Sequence, residues 1–465
     1  MAESKRKWLA GVVQWLYPGL KIKRWLILAM LGLGLVMLAF TLLIGPEIIY
    51  YTGKAVYPLL TELSHAAFNL LLLLLGLLLI LVGLHRASKA VGEVLQTRNK
   101  RPLIQELFTR RYLAGGPRLV AIGGGTGLST LLRYLKEYTS NLTAVVTVTD
   151  DGGSSGRLRG ELGMLPPGDI RSCLLAMADT EPVMERLFQH RFTGGSGLEG
   201  HSFGNLFIAA MTEMYGFQEA IRLFGQVLAI RGQVFPVTLN MVQLQAEDTQ
   251  GRLIRGQSVL YRSRGPLRRI SLLPPDCKPL PEVICAIQEA DAVVLGPGSL
   301  FTSVIPNLLV PGIVEALRRT SAAKIYVCNV MTQPGETTGF TAADHVEALL
   351  KHSAPDLLDY VLVNSDLAIP PDKLEPYRQN GAELVRPDFE RLHRLAPRVI
   401  ASPLIDRNMV THHNGKALAR LVVDQVEEFI NRRRSRGLRG RLYHFNSSVR
   451  RHIAGSKRVS GGSRR

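Results

Sequence analysis

Hydropathy along the chain changes character near residue 85. Before it, residues 25–44 and 66–84 carry no charge, and Asn69 is the only strongly polar side chain in the second run. At a rise of about 1.5 Å per residue, each run reaches roughly the 30 Å of a bilayer core. Neither shows the one-sided stripe of a soluble helix, so the pattern predicts two transmembrane helices forming a hairpin. A cleaved signal peptide fits badly, because 24 residues precede the first run and a second span follows. Beyond residue 118 the pattern becomes short apolar runs alternating with amphipathic stretches. Runs at 118–122, 143–149, 291–295, 324–330 and 360–364 read as parallel strands, the last two ending in Asn329 and Asn364. Residues 233–239 and 253–259 alternate apolar with polar and predict an antiparallel insertion. The fold class expected is α/β, a Rossmann-like domain with a mixed, mainly parallel sheet, preceded by two transmembrane helices.

Several turns in this pattern carry chemistry. The run at 118–122 is followed by Gly123, Gly124, Gly125, Thr126 and Gly127, and then by a helical stretch. Strand, glycine turn and helix bring backbone N–H groups and a helix amino end toward anionic oxygens. This is not a Walker loop, since no Gly-Lys-Ser/Thr follows, and Leu128 stands where a dinucleotide fingerprint needs its third glycine. Tight strand–helix turns also need glycine for structure alone.

The second strand runs into Asp150 and Asp151, a Gly/Ser turn, and Arg157 and Arg159. The carboxylates could hold Mg²⁺ or a ribose hydroxyl and the arginines a phosphate. The plain alternative is a solvated turn capped by Asp150. After Pro166-Pro167-Gly168 come Asp169 and Arg171 at a helix start, where Asp169 could serve only as an N-cap. His201 and Asn205 precede and open an apolar helix, as ligand contacts or as structural groups. Gly296, Gly298 and Ser299 repeat the strand–glycine–helix arrangement, a second anion cradle.

Charge narrows the function. The 465 residues hold 56 basic and 38 acidic side chains, a net +18 that suggests a nucleic-acid binder. Its distribution argues otherwise. Residues 1–24 sum to +5, 25–84 to −1, 85–118 to +6 and 431–465 to +12, leaving 119–430 at −4. Basic residues before the first span and after the second (Arg86, Lys89, Arg98, Lys100, Arg101) flank a nearly neutral loop with Tyr50, Tyr51 and Tyr57. The positive-inside rule then places both termini and the main domain in the cytoplasm, on a multi-pass protein of the cell membrane. Cys173, Cys277, Cys285 and Cys328 form no C-x-x-C pair, which excludes a zinc ribbon or thioredoxin site, and reduced thiols are expected. The organisation expected is a basic start (1–24), the hairpin (25–84), a basic juxtamembrane linker (85–117), a nucleotide-binding domain (118–430) and a basic disordered tail (431–465). Tethered near a bilayer, the Arg/Gly/Ser-rich tail has anionic headgroups as its nearest partner, ahead of RNA or DNA.

Six motifs in order, GGGTGLS, TVTDDGGSSGRLR, LPPGDIRSCLLAMAD, GHSFGNL, LGPGSLFTSVIPNLLV and YVCNVMTQPGETTGFTAADHV, resemble the bacterial gluconeogenesis factor family (YvcK-like). That family is related to CofD, the 2-phospho-L-lactate transferase of coenzyme F420 synthesis. The resemblance runs from about residue 118 to 430. It implies a CofD-type fold, a role in cell shape and cell-wall precursor supply on gluconeogenic carbon, and UDP-sugar binding. It also implies metal and substrate beside Asp150 and Asp151, and glycine loops at Gly123–Gly127 and Gly296–Ser299. The hairpin departs from the shorter members.

Two functions follow. One is a nucleotide-sugar-binding regulator without turnover, with cell-wall synthesis proteins or a second copy as partners. The other is a Mg²⁺-dependent transferase of a phosphorylated group from a nucleotide-activated donor. The motifs supply no obvious nucleophile and no nearby aromatic cluster for a deazaflavin, which favours the regulator.

Overall fold

A computed structural model describes residues 112–434, apart from 180–181 and 264–266. The chain divides into two compact units at Arg111/Tyr112, and the described residues all belong to the second. The expected hairpin, the juxtamembrane linker to Arg111 and the tail from 435 lie outside the described residues. Among those described, no single helix is long and apolar enough to cross a membrane.

In chain order, β1 (Leu119–Gly123) leads through α1 (Gly125–Leu135) to β2 (Leu142–Val146). Five helices follow, α2 (Gly153–Leu162), α3 (Gly168–Met177), α4 (Pro182–Gln189), α5 (Phe203–Tyr215) and α6 (Phe217–Val227), before β3 (Gln233–Pro236). Then come β4 (Gln243–Asp248), β5 (Leu253–Arg255), α7 (Gln257–Ser263), β6 (Leu267–Leu273) and α8 (Pro281–Glu289). β7 (Ala292–Leu295) is followed by a π-helical turn (Leu300–Val304), α9 (Ile305–Leu308) and α10 (Ile313–Arg319). The chain finishes with β8 (Ala323–Val327), α11 (Ala342–Lys351), β9 (Tyr360–Asn364), α12 (Pro371–Arg378), α13 (Phe389–Leu395), β10 (Val399–Ser402) and α14 (Gly415–Arg434).

Seven strands form one sheet in the order β10-β9-β8-β7-β1-β2-β3, every pairing parallel. β1, β7 and β9 are buried at every position, as expected of apolar runs covered by helices on both faces. α1 shows why: Leu128, Leu131, Leu132 and Leu135 repeat at helical spacing, and all are buried on one face. The order runs outward from β1 to β3, then crosses back to β7 on the other side of β1. That reversal creates a crevice at the carboxyl ends of β1 and β7, where doubly wound sheets bind ligands.

One strand differs from expectation. Residues 233–236, read as part of an antiparallel insertion, are the parallel edge strand β3. The antiparallel sheet exists, but it is β5-β4-β6. Both kinds of edge leave one side polar, so alternation alone does not separate them. α14 also continues to Arg434, four residues into the segment read as tail. The four cysteines are free thiols.

Candidate functional site

The two glycine turns meet at the β1/β7 crevice. A Cβ on Gly127 would lie 2.8 Å from the Pro297 carbonyl oxygen, and one on Gly298 would lie 3.1 Å from that of Gly124. Only residues without side chains allow this backbone-to-backbone approach. Gly125 and Gly296 also hold φ of 66° and 79°, in the left-handed region that glycine favours. α1 starts with no side-chain cap of its own and no acidic residue in its first turn; the Gly125 N–H is taken by the Asp169 carboxylate, which leaves the next first-turn N–H groups and the dipole to an anion.

Around these turns lies a cleft of about 350 Å³, lined by Gly124–Gly127, Ser299, Ser303, Asn329, Gln333 and the 411–413 segment. A larger groove of about 1390 Å³ runs along β3, but none of the expected site residues lines it. The smaller cleft is the functional candidate, because it combines the switch point with the backbone donors.

Several side chains fix the second turn. The Asn329 amide donates to the Gly298 carbonyl at 2.9 Å, and its oxygen accepts from Gly298 N–H at 3.3 Å. Gln333 donates to Ser299 Oγ at 2.7 Å. His413 is buried with Nε2 3.0 Å from the Cys328 carbonyl, and burial pushes its pKa down to about 4, so the ring is neutral at pH 7. Glu336 is buried below the π-helical turn, accepting from Thr302 Oγ1 at 3.1 Å, and burial raises its pKa to about 7. Asn329 closes a strand that the sequence pattern identified. Gln333 opens the Pro334-Gly335 turn of the sixth motif but follows no apolar run, and His412 and His413 carry no comparable signal.

The expected acidic residues separate. Asp151 Oδ1 accepts the Ser258 N–H at 2.7 Å, at the start of α7, and so ties the insertion to the main domain. Asp150 Oδ1 accepts from Gly152 N–H at 3.0 Å, the local turn bond anticipated for it. Asp169 is not an N-cap. Its carboxylate lies against the first turn, where a Cβ on Gly124 would come within 2.6 Å of Oδ2. Burial, and then the nearby charge of Asp150, raise its pKa to about 6 against the Gly125 N–H bond and Arg171.

Among the described residues, no three His, Cys, Asp or Glu side chains gather as a metal cage. Asp150 and Asp169 are the hard oxygen donors that repel one another beside the glycine turn. Two such carboxylates, completed by water and phosphate oxygens, are a usual Mg²⁺ set. They fit the ion, which would relieve their repulsion and offset phosphate charge.

The arginines serve the loops. Arg157 donates to the Glu199 carbonyl at 2.6 Å and Arg159 to that of Val242 at 2.7 Å. Arg171 reaches the Phe188 carbonyl at 3.4 Å, and burial lowers its pKa. Neither Arg159 Nη1 nor Arg171 Nε, both buried, has a hydrogen-bond partner. His201 and Asn205 converge on Ser154, with Nδ1 at 2.9 Å and Nδ2 at 3.0 Å from Oγ. The Ser154 hydroxyl thus accepts from the Asn205 amide and is hydrogen-bonded to the His201 ring, tying the two residues together. None of these five residues lines the 350 Å³ cleft.

An aromatic cluster does accompany the motifs, contrary to the sequence reading. Phe188, Phe203, Phe207 and Phe224 have ring centroids 4.8–6.3 Å apart and join α4, α5 and α6. They pack with the core, whereas the cleft itself is lined by no Phe, Tyr or Trp.

Comparison with known proteins adds a family. Residues 119–405 match the family model described as 2-phospho-L-lactate transferase CofD. A "Putative gluconeogenesis factor" from Nostoc sp. is 44% identical over 418 residues, 88% of this chain and 91% of that one. That share exceeds what the stretch from residue 112 onward can supply, so the likeness extends into the N-terminal unit. The "Gluconeogenesis factor" of Bacillus subtilis is 48% identical over 314 residues, covering 67% of this chain and 99% of its own. A solved Bacillus halodurans protein, described as a member of the upf0052 family, is 44% identical with a TM-score of 0.64. It is covered over 99% of its length by 66% of this chain.

Proposed function

The chain belongs to the CofD family, in its gluconeogenesis-factor branch, and on that premise we propose that it is a membrane-anchored nucleotide-sugar-binding regulator. Its ligand is a UDP-sugar, and its role is cell shape and cell-wall precursor supply during gluconeogenic growth. The observation that carries the binding half is the contact of two glycine turns at the switch point, beside the amino end of α1. A diphosphate bridging the turns would accept from backbone N–H groups of both. Asn329 and Gln333 hold the second turn for it, and the hydroxyls of Thr126, Ser299 and Ser303 are within the lining. The case for a regulator is that the lining offers hydroxyls, amides, His412 and a neutral buried His413, with no carboxylate or thiol among them to act as a nucleophile. The anchoring half rests on the runs at 25–44 and 66–84 and their flanking charge, which keep the domain on the cytoplasmic side.

A second reading is favoured by Asp150 and Asp169. Paired carboxylates beside a phosphate turn suit a transferase moving a phosphorylated group from a nucleotide-activated donor. Mg²⁺ would supply charge neutralisation on the donor's phosphates. These two residues would hold it, and the α1 amino end would orient the phosphate.

Because whole proteins of this branch match only two thirds of the chain, a 112–434 fragment is the natural test piece. Titration with UDP-N-acetylglucosamine, GTP and NAD, with and without Mg²⁺, should show UDP-sugar binding without turnover. Binding of none of the three would refute the nucleotide reading, and consumption of GTP with a phospho-acid would replace the regulator by the transferase.

A further inference from the structure

At the end of the sheet opposite the glycine turns, three guanidinium groups surround a separate cleft of about 460 Å³. It is lined by Asp359, Tyr360, Arg398, Phe429, Arg432 and Arg433 with Pro397. Tyr360 opens β9 and Arg398 immediately precedes β10, so the cleft sits at the amino ends of these strands. Tyr360 and Phe429 meet edge to face at 6.4 Å. Each ring carries an arginine: Arg398 lies 5.2 Å over Tyr360 and Arg433 lies 5.9 Å over Phe429. Arg398 also donates to the Tyr360 hydroxyl at 2.6 Å, and Arg433 to the Ser321 carbonyl at 2.6 Å. A guanidinium over an aromatic face is attracted to it and keeps further N–H donors for another acceptor.

The charge balance of this end is specific. Lys324 pairs with Asp359, Arg318 with Asp356, Arg319 with Glu315, and Arg432 with Glu428. Arg398 and Arg433 make no ion pair among the described residues, so the cleft holds two uncompensated positive charges. Both ends of the described chain also lie here. Leu113 and Pro117 accept hydrogen bonds from Ser140 and Thr139, just before β2, and α14 ends beside Ser321, just before β8. The chain therefore reaches this end from the side of the apolar runs before residue 85 and leaves it into residues 435–465, which hold nine Arg/Lys and no acid.

We propose that this arginine cleft binds the phosphate of an anionic lipid headgroup, so that the domain rests on the bilayer by its strand amino ends. The ligand crevice, at the strands' carboxyl ends, then faces away from the membrane. The proposal rests on the anchoring reading above for its biological setting, but the cleft itself is tested without the hairpin.

The experiment is vesicle co-sedimentation of the 112–434 fragment at low salt, with phosphatidylcholine alone or mixed with phosphatidylglycerol. The fragment should bind only the mixed vesicles, and less as salt rises. An Arg398→Ala/Arg433→Ala variant should bind about thirtyfold more weakly, from roughly fivefold per basic residue near the surface. An Arg398→Lys/Arg433→Lys variant, which keeps the charge, should recover most of that loss, and thermal melting of both checks the fold. Equal binding by the alanine variant overturns the proposal, as does failure of the parent fragment to bind mixed vesicles. Arginine-dependent binding of glycerol phosphate without vesicle binding would also overturn it, in favour of a soluble phosphate ligand. If only the anchoring reading is wrong, high salt or alkaline washing will strip the full chain from membranes while the fragment still binds mixed vesicles at low salt.

Discussion

Replacing Asp169 by asparagine should stabilise the domain at neutral pH and not in acid. In the native state Asp169 is half-buried against the first glycine turn, facing Asp150, with its pKa raised from 3.8 to about 6. A carboxyl whose folded pKa exceeds its unfolded value binds more protons when folded. Its contribution to stability is complete below about pH 4 and is lost as the pH rises through about 6. Two units at about 1.4 kcal/mol each give roughly 3 kcal/mol, which solvent screening reduces to about 1–3 kcal/mol. The substituted amide would keep an oxygen for the Gly125 N–H and remove the charge. Urea unfolding of the 112–434 fragment, followed by circular dichroism at about pH 4 and about pH 8, measures the difference. The gain of the variant over the parent should grow by about 1–3 kcal/mol between the two conditions. A gain that is the same at both, or that shrinks toward alkaline pH, refutes the assignment of Asp169 as a strained, charge-repelled group. Mg²⁺ held between Asp150 and Asp169 should close the gap at the higher pH by stabilising the parent alone.

Other consequences can be checked with the same fragment. Gly127→Ala places a methyl 2.8 Å from the Pro297 carbonyl oxygen, forcing the turns apart at about 1–3 kcal/mol. Calorimetry should show UDP-sugar affinity at least about tenfold lower, and unchanged affinity would separate the turns from the ligand. Asn329→Leu strips both partners from Gly298, a loss of about 1–3 kcal/mol per unpaired group, visible as a lower urea midpoint. Phe224→Ala opens a cavity against Phe188 and Phe207 and should cost about 3–5 kcal/mol. Its nucleotide affinity should match the parent's in the absence of denaturant, as expected if the aromatic cluster is purely structural.

What could be read in advance follows from how local the physics is. β1, β7, β8 and β9 were visible because strands buried on both faces show unbroken apolar runs, and the glycine turns because they immediately follow such runs. β3 was misplaced because Gln233-Val234-Phe235-Pro236 is an edge, and its partner β2 lies some ninety residues earlier. Asp150 and Asp151 looked like a pair because they are adjacent, but adjacent side chains leaving a strand diverge. Asp151 turns to Ser258, while Asp169 comes back to the glycine turn from α3. Arg157 and Arg159 have the right chemistry for phosphate, but their acceptors, the Glu199 and Val242 carbonyls, lie tens of residues away. The phenylalanine cluster was hidden for the same reason, since its four rings come from three helices.

The order of the parallel sheet has a consequence for how the domain is made. β1 is paired by β2 on one side early in synthesis, but its other edge waits for β7. The roughly 150 residues between Val146 and Leu295 must first be translated, about 7 to 30 seconds at ordinary elongation rates. During that interval the nascent chain presents the bare N–H and C=O groups of Leu119–Ile122 as a template for strangers. The same interval leaves the first glycine turn without its counterpart, so the crevice between the two turns is not formed until the second half has docked. A ribosome paused within the β4–β6 insertion would therefore hold a half-domain with one bare strand edge and half of its crevice.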